Sequence, residues 1–508
     1  MIDTEEPNSP GWWLKYLSGK LHDRRAGRSG AQRYNRRGLK PSKVRPGLEL
    51  LDDYLRGDPP LREDIHRDWA PEFREHCRIG RLNVAPRIVS ATTNRMGLRD
   101  FRTAAANDEL GDEKARDLMR HNQLRLRARQ VHDDMLGLGD AYTIITPPDG
   151  TRSWSLITAE TPLECITEDD PATGEVLAGL KMFRNEPLGI DYAYLFLPGA
   201  LYVAFCEVPT STLFAGRKPF VLADRWDWDF DKFDTIPNNR VAMVHFENKN
   251  GRSEIEGHLE HLDRINDRIF NEWWTSKIQA FRQRALEMAE EDPGEYDDDP
   301  DATDEDGRPL DPTKWSDDDW AGMFTSAPDA LWRLPKGAKI WESAQVDNQG
   351  AINAIKSDLQ WLAFTAAMPL YLITPDAANG SAEGASTQKE EHTFEIGDRR
   401  DRAEARWAQT IALAFEFQSD TQRADVSKIE AIWGPMQLFS LQEMSAAANN
   451  LRGVLPTEAI WTDVLQMSPG DVVDRIRELR NRDLLFPGGD TASAPSPTTD
   501  AGATQASA

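Results

Sequence analysis

The chain has 508 residues, of which 39% are hydrophobic and 29% charged, and its formal net charge is −25. A chain of this length is long enough for two or three packed domains. Its cysteines (Cys77, Cys165 and Cys206) are far apart and form no Cys-x-x-Cys motif, which excludes a disulfide framework and a cysteine-rich zinc site. The few, scattered cysteines fit a reducing cytoplasm. No apolar run reaches the ~18 residues of a membrane-spanning helix, and the first residues lack a secretory pattern, so we expect no membrane partner.

The first 45 residues are strongly basic. Residues 12–45 contain eleven Lys or Arg and a single acidic residue, Asp23. Apolar periodicity is limited to Trp12, Trp13 and Leu14, so this composition predicts a basic flexible arm over 1–45 with a short docking patch. Such an arm could neutralise nucleic-acid phosphates, or serve as a solubilising or interface arm, and the composition does not separate these alternatives.

Residues 46–251 combine short helices with strands. A short helix is predicted at Leu48–Leu55, closed by Gly57, and a helix followed by a strand over 82–103. One helix is predicted over Lys114–Leu138, and the run 141–146 begins a series of short alternating strands that continues to Phe205. This part of the chain is therefore expected to be antiparallel β structure on a helical base.

Long helices dominate the remainder. Apolar residues at three- to four-residue spacing predict helices over 255–289, 349–367 and 388–417, the first of them roughly 50 Å long. Residues 290–319 contain fifteen Asp or Glu against Arg308 and Lys314. Residues 440–485 are predicted to be helical with a break at 453–456, and 486–508 to be a low-complexity disordered tail.

Motifs for catalysis are missing from the sequence. It contains no phosphate-binding loop, no nucleophile elbow and no His-Glu-x-x-His motif, so we expect neither an enzyme nor a cofactor. His258 and His261 could bind zinc, but no third ligand is evident, and a solvated helix face explains them as well. The acidic run 290–319 could bind Ca²⁺ or Mg²⁺, although an EF-hand spacing is not kept because Arg308 stands where the loop needs its Glu. A metal-dependent nuclease using this run is retained as an alternative function.

Several segments resemble phage portal proteins of the SPP1 type, in the order in which that family carries them. The matching segments are Leu51–Leu61, Asn83–Gly97, Gly137–Tyr142, His245–Glu254, Leu262–Asn266 and Ser381–Lys389. The resemblance covers roughly residues 48–485. The basic arm has no clear counterpart in that family, and the acidic insert is unusual for it.

The resemblance implies an α+β portal fold with a wing, a long-helix stem, a small clip and a helical crown, assembled as a ring. The implied boundaries are wing 46–251, first stem helix 252–289, clip with acidic insert 290–346, second stem helix 347–367, tunnel loop 368–387, long wing helix and return 388–439, and crown 440–485. A single large helical domain that packs on itself is the alternative architecture.

The implied function is a dodecameric ring at the capsid vertex, through which DNA is packaged and ejected. The implied partners are further copies of the chain in a ring of twelve, non-specific double-stranded DNA, the terminase large subunit, a head–tail adaptor protein, and the major capsid and scaffolding proteins. The implied place is the portal vertex of the capsid in the virion, after assembly in the host cytoplasm. A different capsid-associated structural protein, such as a minor head or adaptor protein, is the alternative.

Two sets of residues follow as site predictions. The residues expected to face DNA from the tunnel loop are Asn379, Gly380, Ser381, Glu383, Gly384, Ser386 and Lys389. The residues expected to contact neighbouring subunits in the stem are Leu262, Ile269, Trp273, Ile355 and Leu359. No catalytic or metal-binding residue is predicted.

Overall fold

The structure, a computed structural model, describes part of the chain. The described residues are 2–27, 45–60, 71–103, 105, 110–207, 226–280, 284–287, 339–342, 348–373, 382–437, 439 and 441–485. The fold is mixed helix and sheet, which confirms the α+β prediction. The chain divides into two compact units, the first formed by Met1–Ile265 with Asp358–Ala508 and the second by Asn266–Ser357.

The first unit begins with a helix where the sequence predicted a flexible arm. Helix α1 (Pro10–Ala26) is capped by Ser9, whose Oγ accepts a hydrogen bond from the Trp12 N–H at 3.1 Å. Gly27 ends the helix with a φ of 72°, a left-handed conformation that glycine adopts without strain. The prediction of an arm is therefore wrong for residues 10–26, and residues 28–44 lie outside the described part.

Short helices form the base of the first unit, as predicted. They are α2 (Leu48–Arg56), α3 (Pro71–Ile79), α4 (Ala85–Thr93), α5 (Glu113–His121) and α6 (Leu124–Leu138), with strand β1 (Leu98–Arg102) after α4. The single helix predicted over Lys114–Leu138 is wrong, because Gln123 has a φ of 49° and separates α5 from α6. The buried side chain of Asn122 stabilises this break with hydrogen bonds. Its amide N–H groups donate to the carbonyls of Leu118 and Ser155, and its Oδ1 accepts the Ile157 N–H.

Two antiparallel sheets follow. Their strands are β2 (Asp140–Thr146), β3 (Leu156–Glu160), β4 (Cys165–Asp169), β5 (Val176–Asn185), β6 (Ile190–Leu197), β7 (Ala200–Glu207), β8 (Asp227–Trp228), β9 (Asp234–Thr235) and β10 (Met243–Glu247). The smaller sheet has the order β10-β2-β3, and the larger has the order β4-β5-β6-β7-β8 with β9 beside β7. This arrangement confirms the predicted antiparallel β structure.

Helix α1 covers one face of the larger sheet. Its leucines Leu14, Leu17 and Leu21 are at most 2% exposed. They pack against alternate residues of the strands, whose side chains point to the same face of the sheet. These strand residues are Ile166, Ala178, Leu180, Met182, Ala193, Leu195 and Ala204.

The second compact unit contains parts of two helices and a strand pair. Helix α7 (Leu259–Ala280) enters it, and strands β11 (Arg284–Glu287) and β12 (Lys339–Glu342) pair antiparallel. The predicted helix over 255–289 is wrong beyond Ala280, since 284–287 is a strand, and α7 is ~33 Å long rather than ~50 Å. Most of the predicted clip, including the acidic insert 290–319, lies outside the described residues.

The chain re-enters the first unit along helix α8 (Gln349–Thr365) and continues with α9 (Ala382–Phe417). Trp407 of α9 is fully buried, lies 4.8 Å from the Phe246 ring of β10, and donates its Nε1–H to His132 Nε2 of α6 at 2.9 Å. Strand β13 (Glu430–Trp433) then pairs with β1. Helix α9 is therefore a buried part of the first unit.

The C-terminal segment is helical with a break, as predicted. Its main helices are α10 (Leu441–Leu451) and α11 (Pro469–Leu485), with shorter turns at Thr457–Ala459 and Ile460–Val464 between them. Gly453 takes a φ of 88° at the break. The predicted tail 486–508 lies outside the described residues.

Candidate interaction surfaces

The residues predicted to form the DNA-facing loop are divided by the start of helix α9. Asn379, Gly380 and Ser381 lie outside the described residues. The others, Glu383, Gly384, Ser386 and Lys389, belong to the first turns of α9, which begins at Ala382 rather than at residue 388. The loop boundary at residue 387 is therefore wrong, while contact with DNA stays a prediction.

The residues predicted to contact neighbouring subunits fall into two groups. Leu262 and Leu359 are only 3% and 8% exposed, and both lie in the first compact unit. Their side chains are covered by this chain's own residues, so they stabilise its fold and are not available to a neighbour. Ile269, Trp273 and Ile355 are half-buried, and their contact with a second subunit remains a prediction.

A cluster of partly buried charged side chains surrounds His245 of β10. Its Nδ1 lies 2.5 Å from Asp169 Oδ2, at the end of β4, and its Nε2 lies 3.1 Å from Asp140 Oδ1, at the start of β2. The ring of Tyr142 stacks on the imidazole with a centroid distance of 4.9 Å. One histidine therefore connects the smaller sheet to the larger one.

The two carboxylates keep this histidine charged. Burial alone would lower the pKa of His245, but the hydrogen bonds and negative charges of Asp140 and Asp169 outweigh burial and raise it to about 9. Burial also opposes ionisation of Asp169, yet its hydrogen bond with His245 leaves the pKa of that carboxyl below its usual value. The cluster is thus a protonated imidazole held between two carboxylates near neutral pH.

Helix α1 contributes two further cations to this region. The Arg24 guanidinium lies 3.5 Å from Asp140 Oδ2, and Lys20 Nζ lies 2.6 Å from Glu168 Oε2. These groups line a cavity of 1130 Å³ between α1 and β4. Positive and negative side chains both line it and form ion pairs with one another, which fits a structural ion network rather than a ligand site.

A second histidine, His132, is fully buried and uncharged, in contrast to His245. His132 is 1% exposed, and its burial together with the nearby Arg400 lowers its pKa to about 3. It is therefore neutral, and accepts the Trp407 N–H with Nε2. No sequence pattern signalled either histidine, because their partners lie far away in the chain.

A smaller cavity of 670 Å³ lies where the C-terminal segment meets the helical base. Arg99 donates to the Gln466 carbonyl at 2.6 Å, and Arg125 donates to the Arg99 carbonyl at 3.2 Å. Burial, with the neighbouring Arg125 charge second, lowers the pKa of Arg99. The Arg99 bond fastens the C-terminal segment to β1, and the Arg125 bond joins α6 to β1.

The alternative sites considered from the sequence find little geometric support in the described part of the chain. Burial, followed by the charge of His261, lowers the pKa of His258. Among the described residues, no three His, Cys, Asp or Glu side chains are grouped to hold a metal ion. None of the described helices has the length and apolar content required to cross a bilayer.

Comparisons with known proteins give distant structural likenesses only. No protein-family profile and no curated protein sequence matches the chain. Among solved structures, a chain of "Virion of native gene transfer agent (GTA) particle" is similar at 12% identity and a TM-score of 0.39, covering 78% of this chain and 93% of that one. A chain of "Neck of empty GTA particle computed with C6 symmetry" is similar at 10% identity and a TM-score of 0.40, covering 77% and 88%. A chain of "Neck of native GTA particle computed with C12 symmetry" is similar at 11% identity and a TM-score of 0.39, covering 77% and 93%.

Proposed function

We propose that this chain is the portal protein of a tailed bacteriophage, a ring-forming structural component of the virion through which DNA enters and leaves the capsid. The observation that carries the proposal is the order of the elements. An antiparallel β unit on helices is followed by α7, which leaves the first compact unit at Ile265, and by α8, which re-enters it at Asp358. Helix α9 then packs Trp407 into the first unit. The portal architecture has this same order of parts: a wing, two stem helices on either side of a clip, and a long helix that returns to the wing.

The charge of the chain suits a conduit. Phosphate-binding surfaces need clustered cations, whereas a net charge of −25 repels DNA and leaves it free to slide. The sequence has no phosphate-binding loop, so the energy for translocation would come from a separate motor, the terminase large subunit. We therefore propose a protein without catalytic activity that docks the motor and later a head–tail adaptor.

Electron microscopy of the purified, tag-free chain, combined with mass determination, tests the proposal. The expected result is a ring of about twelve copies around a central hole, which the portal family implies and closed cyclic symmetry permits. A chain that stays monomeric at every concentration would overturn the proposal. A closed ring of another stoichiometry would favour a minor head or adaptor protein.

A cleavage assay on double-stranded DNA with Mg²⁺ separates the enzyme alternative from the structural one. Turnover that depends on Mg²⁺ would favour a metal-dependent nuclease using the acidic run 290–319. We expect no cleavage, since a conduit has to leave the duplex intact.

A further inference from the structure

One segment of the first unit is both uncharged and exposed. Residues 359–373 contain no charged side chain, in a chain of which 29% of residues are charged. Within this segment Trp361 is 58% exposed, Phe364 73% and Tyr371 43%. A soluble protein rarely keeps several large apolar side chains exposed on one uncharged surface unless a partner covers them.

Helix α8 has two apolar faces in this segment. Leu359, Leu362 and Ala363 are buried inside the chain, while Trp361 and Phe364 lie on the opposite side of the helix. The rings of Trp361 and Phe364 contact each other edge to face with a centroid distance of 6.3 Å. Because folding of the single chain uses only the first face, the second one is available to another molecule.

Helix α9 is fixed against the residues that follow α8. His392 Nδ1 lies 3.2 Å from the Ala367 carbonyl oxygen, and the His392 side chain is buried. Phe394 is 73% exposed, but residues two positions apart point to opposite sides of a helix, so Phe394 does not join the surface of Trp361 and Phe364.

We propose that the aromatic surface formed by Trp361 and Phe364 binds a second copy of this chain. Two copies with a net charge of −25 repel each other, so they approach at the lowest electrostatic cost through an uncharged surface. DNA is a poor occupant, since phosphates require cations and residues 359–373 supply none. Interface centres are typically poor in charge and rich in aromatic residues, as this surface is.

The proposal rests on the proposed ring and names the residues that hold it together. In a closed ring each interface joins two different surfaces of the same chain, so the aromatic surface contacts another region of its neighbour. This contact uses Trp361 and Phe364 rather than Leu262 and Leu359, which are buried in the single chain. The contact is expected to be an energetic hot spot, because tryptophan is enriched among the residues that dominate binding.

The test compares the wild type with Trp361→Ser/Phe364→Ser, using mass photometry and sedimentation velocity over a range of concentrations. The matched control is Phe230→Ser, since Phe230 is a comparably exposed aromatic residue at 77%, in the 3₁₀ turn Phe230–Lys232. We expect the double variant to need a concentration about 30-fold or more higher for half-assembly. The control should assemble like the wild type, and the conservative Trp361→Phe should recover most of the assembly.

Three other results would each overturn the proposed interface, and one of them would also overturn the proposed function. Normal rings from the double variant would overturn the aromatic interface and leave the proposed function standing. Unchanged assembly with a lowered melting temperature of the monomer would mean that this chain's own residues cover the surface, which also overturns the interface. A wild-type chain that never assembles would overturn both the function and the interface.

Discussion

Helices α1 and α8 both carry large apolar side chains, but the folded chain covers those of α1 and leaves two of those of α8 exposed. The leucines of α1 are at most 2% exposed because the larger sheet covers them, whereas Trp361 and Phe364 of α8 are more than half exposed. Helix α1 lies in the most basic part of the sequence, while the last turns of α8 begin a segment without any charge. The comparison shows that charge around an apolar stripe does not prevent its burial, and that an uncharged segment can remain uncovered in the single chain. Helix α1 therefore contributes to folding, and α8 keeps an apolar surface that is uncovered in the single chain.

The largest expected effect comes from removing a covered side chain. Leu17→Ala deletes a fully buried group between α1 and the larger sheet, and should lower the free energy of unfolding by ~2–5 kcal/mol. Urea denaturation followed by circular dichroism measures this change. Lys15→Ala on the same helix is the control, since the Lys15 side chain is 57% exposed and its pairing with Glu5 at 3.5 Å is a surface contact. Equal stability of Leu17→Ala and Lys15→Ala would show that α1 is not packed on the sheet.

The next effect should come from the ion cluster beside α1. In the folded chain the pKa of His245 is raised to about 9 from an ordinary value of 6.5. A raised histidine pKa adds stability that is fully present below pH 6.5 and is lost as the pH rises through 9. His245→Asn should therefore lower the free energy of unfolding by on the order of 3 kcal/mol at pH 6.5, and by less at pH 9.5.

Urea denaturation at several pH values between 6.5 and 9.5 measures the difference between wild type and His245→Asn. Burial, with Asp133 and Asp52 adding to it, raises the pKa of Asp134 to about 7, but this group titrates in both proteins and cancels in the difference. His121→Asn is the control, because His121 is exposed, stacks on Trp154 at 5.1 Å, and has no carboxylate partner among the residues that the structure describes. A constant difference across the whole pH range would rule out a charged His245 in the folded chain.

The sequence predicted elements well where a local pattern and a local end signal coincide. Helix α2 was predicted because apolar spacing ends at Gly57, and that glycine has the left-handed φ of 81° expected at a helix end. Helix α1 carries equivalent end signals in Ser9, Pro10 and Gly27, but its basic composition predicts an arm. Composition is a weaker guide than a capped apolar stripe, since a few buried leucines outweigh solvated charges on the outer face.

Sites whose residues are far apart in the sequence could not be predicted from it. His245 binds Asp140 and Asp169, which are 105 and 76 residues away, and no spacing rule in the sequence joins them. The apolar spacing of α8 marks the face of Leu359 and Leu362, but it could not show whether this chain or a neighbouring one covers that face. Only the packing of α7 and α8 in three dimensions separates these cases.

The smallest expected effect concerns the start of α1 and tests whether the helix is specified locally. Ser9 Oγ accepts the Trp12 N–H, so Ser9→Ala leaves a helix-end donor without its acceptor and should cost ~1 kcal/mol. Ser9→Asp keeps an acceptor and places a negative charge at the positive end of the helix dipole, so it should match the wild type within ~0.5 kcal/mol. Urea denaturation of both variants, run alongside Leu17→Ala, compares the stability contributed by the Ser9 cap with that contributed by packing on the sheet. If Ser9→Ala and Ser9→Asp were equally stable, packing on the sheet alone would hold α1 in place, and the end signals in the sequence would matter only for recognising the helix.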